Sequence, residues 1–394
     1  MALAIAAHLA AARRVAEIEP FEVMDVLARA HELERAGRRV LHMEIGEPDF
    51  TAPAPVVEAG VRALREGRTA YTPTLGLHAL REAIAGHYAV KFAKPVEPAR
   101  VVVTAGASGA LLTVAALYVD AGDEVLVPDP GYPGYRHFVR AFEGRARPVA
   151  LSAAQNFQPT AAMVRAAWGA RTKGLILGSP SNPTGTLIEP AELQAIARFI
   201  AERGGVLIVD EIYQGLTYGA EPWTALDLPG EVVVINSFSK YFCMTGWRLG
   251  WVVLPRAAVR GFEKLAQHLF ISAPSAAQYA ACAAFGAESL KVLEERRREF
   301  ARRRDFLLPQ LRAAGLALPA EPRGAFYVYA DCGRDARAYC MELLEREAVA
   351  ATPGVDFGAN NTARHVRFAY TRAMAELAEA ARRIKRFAAS SPSA

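Results

Sequence analysis

Residues 206–213 read Val206-Leu207-Ile208-Val209-Asp210-Glu211-Ile212-Tyr213, and residues 232–240 read Val232-Val233-Val234-Ile235-Asn236-Ser237-Phe238-Ser239-Lys240. Each stretch is a short apolar run followed at once by groups that carry chemistry. The runs do not alternate apolar with polar residues, so each predicts a strand covered on both faces, as in a mainly parallel sheet. The same pattern recurs at residues 101–104, 124–128, 148–151 and 174–177, and again at 250–254, where Pro255 ends it. Helical stretches are predicted between them, at 108–119, 133–143, 160–168 and 189–203. The expected fold is therefore α/β: a mainly parallel seven-stranded sheet covered by helices.

Beyond residue 276 the texture changes. A charge-laced helix is expected over 286–313, where Arg296-Arg297-Arg298 and Arg302-Arg303-Arg304 interleave with Glu294, Glu295, Glu299 and Asp305. Mixed signs at helical spacing read as a solvated face rather than a nucleic-acid patch. Residues 325–329 and 365–368 read as strands, each followed by a helix, which makes a smaller α+β unit.

Composition agrees with an ordinary globular protein. The chain has 394 residues, 52% apolar and 22% charged, enough for a large core without disulfides or a structural metal. Its net charge of +5 is mild for that length and does not point to nucleic acid. The four cysteines, at 243, 282, 332 and 340, form no CxxC pair and are expected to be incidental thiols in a reducing compartment. Residues 1–12 are apolar except for His8, with Arg13 and Arg14 after the run rather than before it, so an amphipathic helix is expected over 1–14 instead of a signal peptide. No apolar run is long enough to span a membrane. A cytoplasmic protein with no membrane partner is expected.

Ligands of such sheets bind beyond the carboxyl ends of the strands. Lys240 follows one strand there, between hydroxyls Ser237 and Ser239 on one side and Arg248 on the other, and a partly neutral amine in that place could form a Schiff base. Asp210 ends another strand; a buried carboxylate needs a cation, and a protonated pyridine nitrogen would supply one. An Asp-Glu pair after a strand also suits a magnesium ATPase, but the chain has no GxxxxGK[ST]. Ser179-Pro180-Ser181-Asn182-Pro183-Thr184-Gly185 is a rigid turn that presents the Asn182 amide. The small residues Thr104-Ala105-Gly106-Ala107-Ser108-Gly109 open a helix whose backbone N–H groups can approach a phosphate. Tyr132, after the strand at 124–128, can stack on a flat ring. Each signal is weak alone. Together they match the needs of one phosphorylated, pyridine-containing aldehyde.

The set Asn182-Pro183-x-Gly185, Asp210-x-x-Tyr213, Ser237-x-Ser239-Lys240 and Gly246-Trp247-Arg248-x-Gly250 resembles the class I/II aminotransferases, fold type I enzymes of the aspartate aminotransferase kind. The resemblance runs from about Gly46 to Arg367. It implies pyridoxal 5'-phosphate as cofactor and Lys240 as the residue that binds it covalently and then shuttles the proton. Asp210 would pair with the ring nitrogen, with Tyr213 and Asn182 on the phenolic oxygen. Gly106, Ala107, Ser108, Ser237, Ser239 and Arg248 would hold the phosphate, and Tyr132 would stack. Arg367 and the backbone of Gly46 would take the substrate carboxylate. Tyr71 would reach the phosphate of a neighbouring subunit, giving a homodimer with shared active sites.

The resemblance further implies an N-terminal segment, 1–46, joining the small domain, a cofactor-binding domain over 47–275 and a small domain over 276–394. The expected reaction moves the amino group of an L-amino acid to a 2-oxo acid by a ping-pong route. Other reactions of the same cofactor, a β-lyase or a synthase, share these motifs. A non-catalytic regulator would need a DNA-binding domain, and the 45 residues before Gly46 are too few and too alanine-rich for one. Ser108 stands where some relatives carry a lysine, and residues 270–275 offer no arginine, so neutral or mixed donors are expected. Trp247 and Tyr135 are read as packing residues.

Overall fold

The computed structural model describes residues 11–390. Most of the helix expected over 1–14, and the frayed tail expected at 391–394, lie outside the described residues. A short 3-10 turn occupies Arg13–Glu17. In chain order there follow α1 (Val23–Arg35), β1 (Leu41–His42), α2 (Ala54–Arg65) and α3 (His78–Phe92). Next come β2 (Val101–Thr104), α4 (Gly106–Tyr118), β3 (Glu124–Asp129), α5 (Gly134–Ala141), β4 (Arg145–Ala150), α6 (Ala161–Ala167) and β5 (Thr172–Gly178). The chain continues through α7 (Pro190–Glu202), β6 (Val206–Asp210), β7 (Glu231–Ser237), β8 (Gly250–Val253), α8 (Arg256–Leu269) and α9 (Ser275–Cys282). It ends with α10 (Ala287–Ala313), β9 (Tyr327–Asp331), α11 (Ala336–Glu347), β10 (Val349–Ala350), β11 (Thr352–Pro353), β12 (His365–Ala369) and α12 (Met374–Ala389).

Strands β2 to β8 form one seven-stranded sheet in the order β2-β8-β7-β6-β5-β3-β4. All its pairings are parallel except the two made by β8, which runs antiparallel to β7 and β2. The unbroken apolar runs are explained by the pleat, which sends successive side chains to opposite faces. Val102, Ile176, Ile208 and Val233 join a core with Val114 and Phe262 on one face. Val103, Leu177, Leu207 and Val234 join the larger core on the other, with Leu80 and Ile196. Both faces are dry, so neither can carry the polar half of an alternating pattern.

The strand topology collects one edge. Strands β2, β3, β5, β6 and β7 all point their carboxyl ends to it, and the reversal of β8 brings the chain just before Gly250, including Arg248, to the same edge. A smaller antiparallel sheet, β11-β12-β9, stands beyond. The N-terminal part joins this region through a separate two-stranded sheet, in which β1 pairs with β10 through Leu41–Val349 and His42–Ala350. Val26, Ala30 and Leu33 of α1 pack with Leu344 and Ala350.

Two expectations need adjusting. The strand read at 325–329 runs over Tyr327–Asp331, because Ala325 has φ 56°, incompatible with an extended strand. The helix α10 does carry intrahelical pairs on its surface, such as Arg302–Glu299 and Arg297–Glu294. Arg303, however, leaves the solvated face. It is buried, donates to Asp49 at 2.7 Å and to Glu299 at 3.0 Å, and lies over Phe50.

Candidate active site

At the collecting edge lies a cavity of about 350 Å³, within the range of small-molecule sites. Its wall includes most of the residues singled out above: Gly46, Ala107, Ser108, Tyr132, Asn182, Asp210, Tyr213, Ser237, Ser239, Lys240, Arg248 and Arg367. They come from positions spread over more than 300 residues of chain, and the sheet topology is what brings them together.

One end is built for an anion. Helix α4 begins at Gly106 with no side-chain cap on its first turn, so its leading N–H groups remain available. Gly106 itself does not line the cavity. It stands behind, at φ 73°, where an added Cβ would come within 2.7 Å of an Arg248 Nη; only glycine lets the guanidinium lie so close. Arg248 is in turn held by the Thr245 carbonyl, to which its Nη1 donates at 3.0 Å. The Ser237 hydroxyl donates to the Ser239 Oγ at 3.0 Å and accepts from the Ser239 N–H at 3.0 Å, a tight turn that places both hydroxyls and then Lys240.

The middle holds the titratable pair. Lys240 Nζ donates to the Gly46 carbonyl at 2.7 Å. Burial lowers its pKa to about 8, with Arg367 and Arg248 adding to the effect and Glu47 and Asp210 opposing it. The carboxylate of Asp210, buried at the end of β6, moves the other way: burial raises its pKa to about 6, against the pull of the Ile212 N–H and the Tyr135 hydroxyl. Those two donors, at 3.0 and 2.9 Å, are neutral. Tyr135 was expected to pack only; here it is the hydrogen-bond partner of Asp210 and lines the cavity. Tyr132 meets Tyr135 edge-on, with ring centroids 5.3 Å apart.

The far end is built around Arg367. Its Nη1 donates to Asn182 Oδ1 at 2.9 Å, which leaves the Asn182 amide N–H groups for another acceptor. Its Nη2 donates to the Glu44 carbonyl and to Thr352 Oγ1. The guanidinium lies 4.3 Å from the Tyr327 ring centre and 4.9 Å from that of Phe357. Its Nε is buried with no hydrogen-bond partner. Tyr213 shares a 2.8 Å hydrogen bond with Tyr327. At Gly46 an added Cβ would collide with the Tyr327 hydroxyl, so glycine is required for that approach.

Tyr71 is not brought to this cavity by its own chain. It is 79% exposed, in the loop before α3. Sequence reading missed Tyr135, Tyr327, Thr352 and the carbonyl of Glu44. All act across distant chain segments, and none sits in a motif that spacing could reveal. Phe21, Val23 and Met24, at the start of α1, and Asp356 also line the cavity unforeseen.

Comparison with known proteins places this geometry. Residues 38–384 match the family described as aminotransferase class I and II. A (5-formylfuran-3-yl)methyl phosphate transaminase of Methanocaldococcus jannaschii is 38% identical over 95% of this chain and 98% of its own. A valine–pyruvate aminotransferase of Mycobacterium tuberculosis is 38% identical over 94% of this chain and 96% of its own. The structure of aspartate aminotransferase from Thermus thermophilus with maleate superposes with a TM-score of 0.90, at 35% identity, over 95% of this chain and 99% of that one.

Proposed function

The chain belongs to the class I and II aminotransferase family and is a transaminase, and on that premise we propose that it works with pyridoxal 5'-phosphate, by a ping-pong route, between an L-amino acid and a 2-oxo acid. The observation that carries this reading is the pairing, in one cavity, of a lysine amine lowered to about 8 with a buried carboxylate that has no cation bonded to it.

The residues present fit the cofactor. Asp210, bonded only by neutral donors, suits a protonated ring nitrogen. The uncapped start of α4, with Ser237, Ser239 and Arg248, suits a phosphate. The buried, unpartnered Nε of Arg367 suits a carboxylate. When bound, pyridoxal phosphate supplies a carbonyl that condenses with amines and a ring that withdraws electrons from the substrate α-carbon.

The protein residues then have separate tasks. Asp210 keeps a proton on the ring nitrogen. Asn182 and Tyr213 donate toward the phenolic oxygen, and Tyr132 covers the ring. Gly106 lets Arg248 close on the phosphate beside Ala107 and Ser108. Arg367 holds the substrate α-carboxylate in its planar fork, with the Gly46 backbone beside it. Lys240 Nζ would hold the cofactor through its carbonyl. The Lys240 amine, whose lowered pKa leaves a large neutral fraction near pH 8, would take the substrate α-proton.

The same reading makes the protein a homodimer in which Tyr71 reaches the partner's phosphate site. It makes residues 47–275 the cofactor-binding domain, with 1–46 and 276–394 forming the small one. A cytoplasmic location is proposed on the four unpaired cysteines. Among the described residues no helix is long and apolar enough to cross a membrane.

Borohydride treatment of the protein loaded with pyridoxal phosphate tests the assignment. A fixed adduct should map to Lys240, and Lys240→Ala should lose both the adduct and nearly all turnover. An adduct on another lysine in that variant would remove Lys240 from its role.

A further inference from the structure

Resting on the transaminase reading above, we infer that the substrate subsite is built for monocarboxylic amino acids with apolar side chains, and for monocarboxylic 2-oxo acids, and that Phe21, Met24 and Asp356 set that preference. The failure of this inference would leave the transaminase reading standing.

The first support is the charge inventory of the wall. Among the described residues lining the cavity, the cations are Lys240, Arg248 and Arg367. Arg248 stands with the serines at the anion end, Lys240 is the reacting amine and Arg367 takes the α-carboxylate. A second substrate carboxylate meets no further cation in this wall. An acid stands there instead: Asp356 lines the cavity, is 4% exposed, accepts from the Glu22 N–H, and is next in the chain to Phe357, which packs under the Arg367 guanidinium. Burying a second carboxylate beside it, unpaired, would be unfavourable. Arg136 and Arg367 both attract the Asp356 carboxylate, though burial outweighs them. The Arg136 guanidinium donates to the Asp356 carbonyl from the neighbouring cleft, at 3.4 to 3.5 Å.

The second support is the apolar corner at the same end. Phe21, Val23 and Met24 line the cavity, yet Phe21 is 41% and Met24 52% exposed. Their position is fixed by the same acid, because the Glu22 N–H donates to Asp356 Oδ1 at 3.1 Å. The Glu22 carboxylate is itself gripped by Arg337, at 2.6 and 3.0 Å. The start of α1 is therefore tied down with its apolar side chains lining the same cavity as Arg367 and Lys240. An apolar side chain gains by covering that surface. A charged one gains nothing there and faces Asp356.

Initial rates of the loaded enzyme test this, with leucine, phenylalanine, alanine, aspartate and glutamate as donors, and pyruvate, oxaloacetate and 2-oxoglutarate as acceptors. Leucine should exceed aspartate about 100-fold in kcat/KM, and pyruvate should exceed both dicarboxylic acceptors. Phe21→Ala should lower the leucine-to-alanine ratio of kcat/KM about tenfold. Asp356→Asn, which keeps an acceptor for the Glu22 N–H, should raise the aspartate-to-leucine ratio about tenfold. If Asp356→Asn does not fold, the Phe21→Ala ratio decides. Aspartate or glutamate equal to leucine in the wild type, or ratios unmoved by the variants, would overturn the inference while the transaminase reading stands. No turnover with any pair would overturn both.

Discussion

Tyr135, on helix α5, donates its hydroxyl to Oδ2 of Asp210, at the end of β6, at 2.9 Å. Burial works to protonate Asp210, and this bond is one of the groups that hold it ionised. Tyr135→Phe should therefore raise the Asp210 pKa. Pyridoxal phosphate binding, followed by fluorescence, should weaken about tenfold near neutral pH, and its fall on the acid side should begin at a higher pH. An unmoved acid limb would make Tyr135 a packing residue only.

Arg367 is held by Asn182, Thr352 and the Glu44 carbonyl, with its face on Tyr327 and Phe357. Arg367→Ala should lower kcat/KM for every amino donor about 100-fold, chiefly through a raised KM, because the shared α-carboxylate loses a bidentate partner. Steady-state kinetics with several donors check this. A loss confined to one donor would mean that Arg367 reads the side chain.

The segment after β1, which carries the Glu44 and Gly46 carbonyls into the site, is pinned by the His42 ring. The His42 ring lies between Glu44 Oε1 at 2.6 Å and Glu34 Oε1 at 3.1 Å. The hydrogen bond to Glu44 is the main reason its pKa is raised, against the opposing effect of burial. A raised folded-state pKa means that the pair stabilises fully below the unfolded histidine value, near 6.5, and that this contribution is lost as pH rises through the folded value. His42→Gln should cost about 2 kcal/mol at pH 5.5 and progressively less toward alkaline pH. Urea denaturation across that range measures the gap; a gap independent of pH would contradict the account.

Tyr71, exposed in its own chain, is proposed to act across a dimer. Tyr71→Phe should weaken cofactor retention without unfolding the protein. Mixing Lys240→Ala subunits with Tyr71→Phe subunits places both lesions in one site of the hybrid and leaves the other intact. At limiting cofactor the mixture should be more active than either parent. No recovery on mixing, or a fully active monomer in sedimentation, would contradict shared sites.

The parts of the site legible in the sequence are those that follow a strand within a few residues. Asp210, Lys240, Asn182 and Ser108 could be placed because a continuous apolar run fixes where a strand ends, and a parallel sheet gathers such ends on one edge. Tyr135 could not, because its link to Asp210 spans 75 positions and its helix carries no motif. Arg303 looked like one more surface charge, yet it is buried against Asp49 across 254 positions. The Glu44 carbonyl is invisible to side-chain patterns, since any residue supplies one. Such partners are fixed by how the smaller sheet docks on the larger, and local spacing does not encode that.

The central claim is that Lys240 and Asp210 serve a two-stage transfer in which the enzyme itself carries the amino group between substrates. Mixing the loaded enzyme with leucine, in the absence of any 2-oxo acid acceptor, tests it most directly. The account predicts release of one equivalent of the corresponding 2-oxo acid per active site, then no further reaction until pyruvate is added, whereupon alanine forms and the absorbance of the loaded enzyme returns. Continued product release without an acceptor, or no release until both substrates are present together, would contradict it.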